Sequence, residues 1–269
     1  MERAKIAAVQ MVSGPELEPN LEAARRLVAA AAAAGARLVA LPENFYLIGR
    51  HESDKVALRE AEGRGPVQQC LSSAARENKV WIVGGTAPIC TGDEPGKIRG
   101  ACLVYDEHGE RVARYDKMHL FRFDGGGERY DEARTLEAGE RPVACDSPFG
   151  RLALSVCYDV RFPEFYRGLG AFDIMFVPSA FTALTGAAHW ETLLRARAIE
   201  NLAYVVAPAQ GGEHASGRRT HGHTMIVDPW GEILGVRPEG EGIVLAEIDA
   251  ERLRAVRNSL PALSNRRSN

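Results

Sequence analysis

Leu152-Ala153-Leu154-Ser155-Val156-Cys157-Tyr158-Asp159-Val160-Arg161-Phe162-Pro163 is the stretch on which the reading of this chain turns. Leu152 to Val156 is an apolar run of strand length, set off upstream by the turn signal Ser147-Pro148-Phe149-Gly150. Cys157 follows directly, and Phe162-Pro163-Glu164 reads as the opening of a helix. A cysteine between a buried strand and a helix stands where an open α/β sheet exposes its chemistry. An amide N–H and a helix N-terminus beside the sulfur would favour the thiolate, the reactive form. A single thiol is more often buried and inert, so the stretch alone does not establish a nucleophile.

Working outward, strands and helices alternate. Lys5 to Met11 reads as a strand, Pro19 to Ala34 as a helix stopped by Gly35, and Arg37 to Leu41 as a second strand. Gly65-Pro66 opens a helix to about Asn78, ahead of a strand from Val80 to Gly84. Ala101 to Tyr105 and Arg111 to Tyr115 flank a hairpin signal at Asp106 to Glu110. Asp116 to Arg141 reads as one long polar loop containing Gly125-Gly126-Gly127, and loops of that length are usually functional. Beyond Cys157 come a strand from Asp173, a helix from Thr185 to Leu202, and a strand from Ala203 to Ala207. Gly222 to Val227 and Glu232 to Val236 pair around Asp228 to Gly231, and Ile243 to Ile248 precedes a terminal helix from Ala250. Hairpins interrupt the alternation, which predicts a layered α/β protein with mixed sheets. Residues 1–269 are expected to form one domain, with an extended polar tail at about 264–269.

Composition narrows the function classes. The 269 residues are 45% hydrophobic and 26% charged, with net charge −3, which gives no reason to expect nucleic acid or an anionic membrane as partner. No apolar run approaches the roughly 20 residues of a spanning helix, and the N-terminal apolar run is too short for a secretory signal. Cys70, Cys90, Cys102, Cys145 and Cys157 are odd in number and lack metal or disulfide spacing, so free thiols in the cytoplasm are expected. His221 and His223 with His214 or His189 show no tetrahedral ligand spacing, and a metal site is not expected. His189 reads instead as part of a packed helix face.

Glu43, Lys117 and Cys157 each follow an apolar strand, and strand ends on one rim of a sheet can converge. Together they would make a useful trio. A carboxylate can take the thiol proton and return it to a leaving amine, while an ammonium lowers the thiol pKa and stabilises an oxyanion.

Pro42-Glu43-Asn44, Asp116-Lys117-Met118-His119-Leu120 and Cys157-Tyr158-Asp159-Val160-Arg161-Phe162-Pro163-Glu164 resemble the three motif blocks of the nitrilase superfamily, the carbon–nitrogen hydrolases. The resemblance extends through Pro178 to Thr182, Ala188 to Glu191, Leu194 to Asn201 and Val227 to Gly231. It implies a four-layer α-β-β-α sandwich that assembles into homodimers or larger homo-oligomers and needs no cofactor. It also implies Glu43 as general base and acid, Lys117 as oxyanion stabiliser, Cys157 as nucleophile and the Tyr158 N–H as a second oxyanion donor. Glu132 falls where the family carries a second active-site glutamate, and Phe181 and Thr182 fall at the substrate. Within the family, Ser179 to Thr182 with Ala188 to Glu191 resembles the branch of deaminated-glutathione amidase and ω-amidase, and Gln210 to His214 leans toward the former.

The activity so implied is hydrolysis of a small carboxylate-bearing amide to acid and ammonia through a thioester. 2-Oxoglutaramate, N-carbamoyl amino acids and nitriles stand as alternative substrates, and a non-catalytic scaffold as the alternative from another class. Arg161 could meet a substrate carboxylate or brace the site in an ion pair with Glu164. Arg218 and Arg219 could meet a peptide-like tail, though paired arginines in a polar loop are ordinarily solvated. Phe121 to Tyr130 departs from the branch pattern, which leaves the substrate less defined than the chemistry.

Overall fold

Two-residue periodicity with both faces apolar builds the first sheet. In β1 (Ala4–Gln10), Ile6 and Ala8 face one core while Ala7 and Val9 face another, and all four are buried. The same division recurs in β2 (Leu38–Leu41), between Leu38 and Ala40 on one side and Val39 and Leu41 on the other. Between these strands runs α1 (Leu17–Ala33), whose stripe Leu21, Ala24, Leu27, Val28 and Ala31 is buried. It begins two residues before Pro19, which the first helical turn tolerates because its amide needs no partner there. A short α2 (Asp54–Ala57) and α3 (Pro66–Asn78) lead into β3 (Trp81–Cys90), β4 (Ile98–Tyr105) and β5 (Arg111–Asp116). The computed structural model describes residues 3–91 and 96–267.

The second half adds the hairpin β6 (Arg122–Gly125) and β7 (Glu128–Asp131), then β8 (Val143–Ser147), β9 (Gly150–Leu154), α4 (Pro163–Gly168) and β10 (Ile174–Phe176). The long helix α5 (Ala183–Asn201) follows, then β11 (Tyr204–Ala207), the hairpin β12 (Gly211–Glu213) and β13 (Arg219–His221), and the pair β14 (Thr224–Val227) and β15 (Ile233–Arg237). β16 (Gly242–Ile248) returns to the first sheet and α6 (Ala250–Ser259) closes the chain, capped by the Asp249 side chain on the Glu251 N–H. The sheets run β16-β1-β2-β3-β4-β5 and β15-β14-β11-β10-β9-β8.

Ile6, Leu38, Val83 and Val104 from the first sheet share one core with Leu152, Leu154, Ile174, Phe176 and Val205 from the second. Outside it, α1 and α3 cover the first sheet, and Trp190, Leu194 and Ala198 of α5 cover the second. The order of layers is α-β-β-α. In the first sheet β1, β2 and β3 run parallel, and in the second so do β9, β10 and β11. Their carboxyl ends open on one rim, where α/β sheets bind ligands.

The structure corrects several sequence expectations. Asp116 to Arg141 is not one loop: β6 and β7 pair around Gly126-Gly127, whose φ values of 60° and 81° suit a two-residue turn with both centres left-handed. Their side chains lack apolar alternation, so the pattern hid them. The strand expected over Gly222 to Val227 begins at Thr224, because Gly222 and His223 both take positive φ. Residues 264–267 are exposed, and the first two belong to a turn in which the Ser264 and Asn265 N–H groups donate to the Pro261 carbonyl. The last two residues of the expected tail, 268 and 269, lie outside the described residues.

One backbone crossing positions the site directly. β3 shifts register between Gly84 and Ala87, and Gly85 there adopts φ +37°. A Cβ on Gly85 would stand 2.0 Å from the Pro42 carbonyl oxygen, one residue before Glu43. Gly85→Ala is therefore expected to cost about 2–3 kcal/mol of stability and to displace Glu43. Thermal unfolding and activity should both fall, and a variant matching wild type in both would contradict this crossing.

Candidate active site

The rim gathers charged groups that the chain keeps far apart. Glu43 stands just past β2, is 3% exposed, and accepts from Lys117 Nζ at 2.8 Å through Oε1. Its Oε2 accepts the Ala180 N–H at 2.9 Å, a donor from the segment after β10. Lys117, just past β5, is 1% exposed. Besides Glu43 it reaches both oxygens of Glu132, at 2.9 and 2.7 Å. Glu132 opens a 3-10 turn after β7, and its Oε2 also accepts the Phe121 N–H at 2.7 Å. The hairpin mistaken for a loop is thus the element that delivers Glu132.

Cys157 is buried just beyond β9 with φ 50°, a left-handed conformation unusual for a residue with a side chain. Its N–H donates to the Pro178 carbonyl at 2.9 Å, which fixes the turn against the end of β10. Strain of this kind is held by surrounding structure and is frequent where a side chain must be aimed. The helix expected to open at Phe162-Pro163-Glu164 does start at Pro163, and Cys157 to Arg161 ahead of it forms a 3-10 turn.

Burial pushes the Cys157 thiol well above its ordinary value, and the Glu43 carboxylate pushes it further. Lys117 and the Ala180 N–H pull it down without reversing the sign. The expected bias toward the thiolate is therefore outweighed: α4 starts only at Pro163, and the ammonium is shared with two carboxylates. Burial disfavours the Lys117 ammonium, yet Glu132 and Glu43 together raise its pKa well above the ordinary value, so it stays charged.

The other anticipated residues divide. Cys157, Tyr158, Phe181 and Thr182 line one narrow slot with Phe121, Ala180 and Thr185. The Thr182 hydroxyl is engaged as the N-cap of α5, accepting from the Thr185 N–H at 3.3 Å. Arg161 does not line that slot; its guanidinium lies 5.4 Å from the Phe181 ring centroid and 5.9 Å from that of Tyr158. Among the described residues its guanidinium meets His189 Nδ1, at 3.3 Å, and not the expected Glu164. His189 is exposed at the rim, not packed in a helix face as expected. His214 is buried against the Ser13 carbonyl and Thr220, while His221 and His223 stack on each other at 4.1 Å.

Asp159 was quoted in the motif but given no task by the sequence. Its carboxylate is completely buried and accepts from the Tyr115 hydroxyl at 2.7 Å, the Val156 N–H at 2.7 Å and the His119 N–H at 3.1 Å. His119 Nδ1 lies 2.7 Å from it as well. Tyr115 lies in β5 two residues before Lys117, and Val156 precedes Cys157. Asp159 therefore ties the lysine's strand to the cysteine's turn. The available signal was an acid two residues from the cysteine inside a run otherwise fit for burial.

Comparison with known proteins bears on what this arrangement is. A model of the carbon-nitrogen hydrolase family matches residues 5–258. A Synechocystis protein named deaminated glutathione amidase is 46% identical over 266 residues, 97% of each chain. The crystal structure of the C. elegans NitFhit protein superposes with a TM-score of 0.89 at 37% identity, covering 99% of this chain and 66% of that one. Saccharomyces cerevisiae Nit3, a member of branch 10 of the nitrilase superfamily, superposes at 0.87 with 30% identity, covering 99% of this chain and 97% of its own.

The protonated sulfur is directly testable. The ultraviolet thiolate absorbance of wild type minus that of Cys157→Ser should be absent at neutral pH and emerge only above the ordinary thiol value of 9.0. A thiolate band at neutral pH would contradict the charge balance described here.

Proposed function

The chain belongs to the carbon–nitrogen hydrolase family, and from that premise we propose that it is a cysteine-dependent amidase of the deaminated-glutathione amidase type, with Cys157 as nucleophile, Glu43 as general base and acid, and Lys117 as oxyanion stabiliser. The observation that carries the assignment of roles is the Lys117 ammonium buried between Glu43 and Glu132, with Glu43 bonded to the Ala180 N–H of the slot that Cys157 lines.

The steps follow from the protonation states. Glu43 takes the thiol proton as sulfur bonds to the amide carbon, so that no standing thiolate is needed. The carbonyl oxygen gains the electron pair, and Lys117 Nζ with the Tyr158 N–H stabilises it; donors aimed at such an oxygen are each worth about 3–4 kcal/mol. When the tetrahedral centre collapses, the C–N bond breaks and nitrogen leaves with the proton held on Glu43. A thioester remains. Water then gives a proton to Glu43 and its oxygen to the acyl carbon, and the sulfur recovers the proton as the acid departs. Glu132 reacts with nothing; it holds the ammonium in place while Glu43 changes charge.

The leaving group depends on the substrate. A primary amide such as 2-oxoglutaramate releases ammonia, whereas the scissile amide of deaminated glutathione is secondary and releases a peptide amine. Arg161, over the Tyr158 and Phe181 rings and without a carboxylate partner among the described residues, is suited to a carboxylate on the acyl side. We read the enzyme as a cytoplasmic homo-oligomer. The exposed Ile199 and Trp230 beside the turn that α5 holds through Arg195 support a self-association face.

Mass spectrometry of enzyme quenched during turnover tests the assignment. An acyl adduct is expected on the peptide containing Cys157, and Cys157→Ala should lose adduct and turnover while keeping its fold. An adduct on Cys70, Cys90, Cys102 or Cys145, or turnover by Cys157→Ala, would overturn it.

A further inference from the structure

A second cavity is walled in part by Asn44, the residue that follows Glu43. It has a volume of about 330 Å³, within the range of small-molecule sites. Its charged lining is four basic residues, Arg50, Lys55, Arg129 and Arg218, against Glu52 and Glu128. The connection to the chemistry runs through one peptide unit. Arg218 Nη2 donates to the Ala180 carbonyl at 2.8 Å, and the Ala180 N–H donates to Glu43.

Two features suit the cavity to a peptide-like ligand that carries a carboxylate. Lys55, only 7% exposed, holds Glu52 Oε2 at 2.7 Å, and Arg218 Nη1 lies 3.5 Å from Glu52 Oε1. One carboxylate already spans the two cations, so the spacing accepts such a group. Moreover, of the four buried side-chain polar atoms lacking a hydrogen-bond partner among the described residues, two belong to this lining: Arg218 Nε, a donor, and Glu128 Oε2, an acceptor. Buried polar groups are rarely left unpaired, and an orphan donor with an orphan acceptor in one wall matches the two faces of a peptide group. The Arg218 guanidinium is held over the Tyr130 ring at 5.1 Å, which keeps its plane oriented.

We infer that this cavity binds the leaving half of the substrate, a peptide-like amine ending in a carboxylate, with Lys55 and Arg218 as the carboxylate partners. The inference rests on the amidase reading above. Its direction follows from the proton: the leaving nitrogen must face Glu43, and this cavity is lined by Asn44, the next residue, and by Arg218, which holds the Ala180 peptide bonded to Glu43. Cation and carboxylate recognition would then occur at both ends of the substrate, with Arg161 on the acyl side and Lys55 with Arg218 beyond the scissile nitrogen.

The experiment compares three amides of one 2-oxo dicarboxylic acyl group: a primary amide, a secondary amide to a dipeptide with a free carboxylate, and the same dipeptide capped as its carboxamide. Wild type should prefer the free carboxylate over the carboxamide by about ten- to a hundredfold in kcat/KM, the scale of a charge-assisted hydrogen bond, mainly through KM. Lys55→Gln and Arg218→Gln should each shrink that ratio toward unity. Equal rates on the two dipeptide amides, or a ratio unchanged in both variants, would overturn the subsite while leaving the amidase standing. Turnover of none of the three would overturn the amidase reading and the subsite with it. The wild-type comparison requires no variant to fold.

Discussion

One buried ammonium between a buried and a half-buried carboxylate is the constraint on which the rest depends. A lysine head taken out of water loses its hydration, and only close opposite charge can offset the loss. Glu43 and Glu132 do so at 2.7–2.9 Å. Burial first, and the Glu43 carboxylate after it, raise the pKa of the neighbouring thiol, so the sulfur keeps its proton despite the ammonium. The same balance suits the proposed chemistry. When the proton moves from sulfur to Glu43 and the negative charge moves to the substrate oxygen, the net charge of the buried cluster does not change. No new charge has to be buried at the reacting step, and the ammonium released from part of its bond to Glu43 is beside the oxygen that needs it.

The fold serves this cluster by bringing unrelated strand ends to one rim. Glu43 comes from the first sheet, Ala180 and Cys157 from the second, and Lys117 from the end of β5. Neutral and charged tethers lock the rims together: Asp159 joins Tyr115 to Val156, and Gln210 past β11 reaches the Glu43 carbonyl at 3.2 Å and the Ser13 hydroxyl at 2.8 Å. These contacts lie in the buried interior, where a hydrogen bond is less screened and an orphaned partner costs more. The geometry of the cluster is thus set by the packing of two sheets, not by any one loop.

Much of this was legible in the amino-acid order. The apolar runs before Glu43, Lys117 and Cys157 announced strand ends, and the motif blocks joined them into one site. What escaped the reading has physical causes. β6 and β7 carry no alternating apolar face, since they form a hairpin lying outside both large sheets. The pKa of the cysteine depends on who shares the lysine, which linear spacing does not contain. Asp159 looks like any acid until four donors converge on it. His189 looked packable because a helical stripe does not say how far the helix projects from the sheet. Arg218 looked solvated because nothing in a polar loop reveals that its guanidinium reaches the Ala180 carbonyl.

The most direct measurement is the stability of Lys117→Met beside that of Lys117→Met/Glu132→Gln. Removing the ammonium alone leaves the buried Glu43 carboxylate facing that of Glu132 without a cation between them and should cost about 3–5 kcal/mol by denaturant unfolding. Neutralising Glu132 in the same chain should recover a substantial part of that loss. A single variant as stable as wild type, or a double variant less stable than the single one, would show that the ammonium does not hold the two carboxylates together.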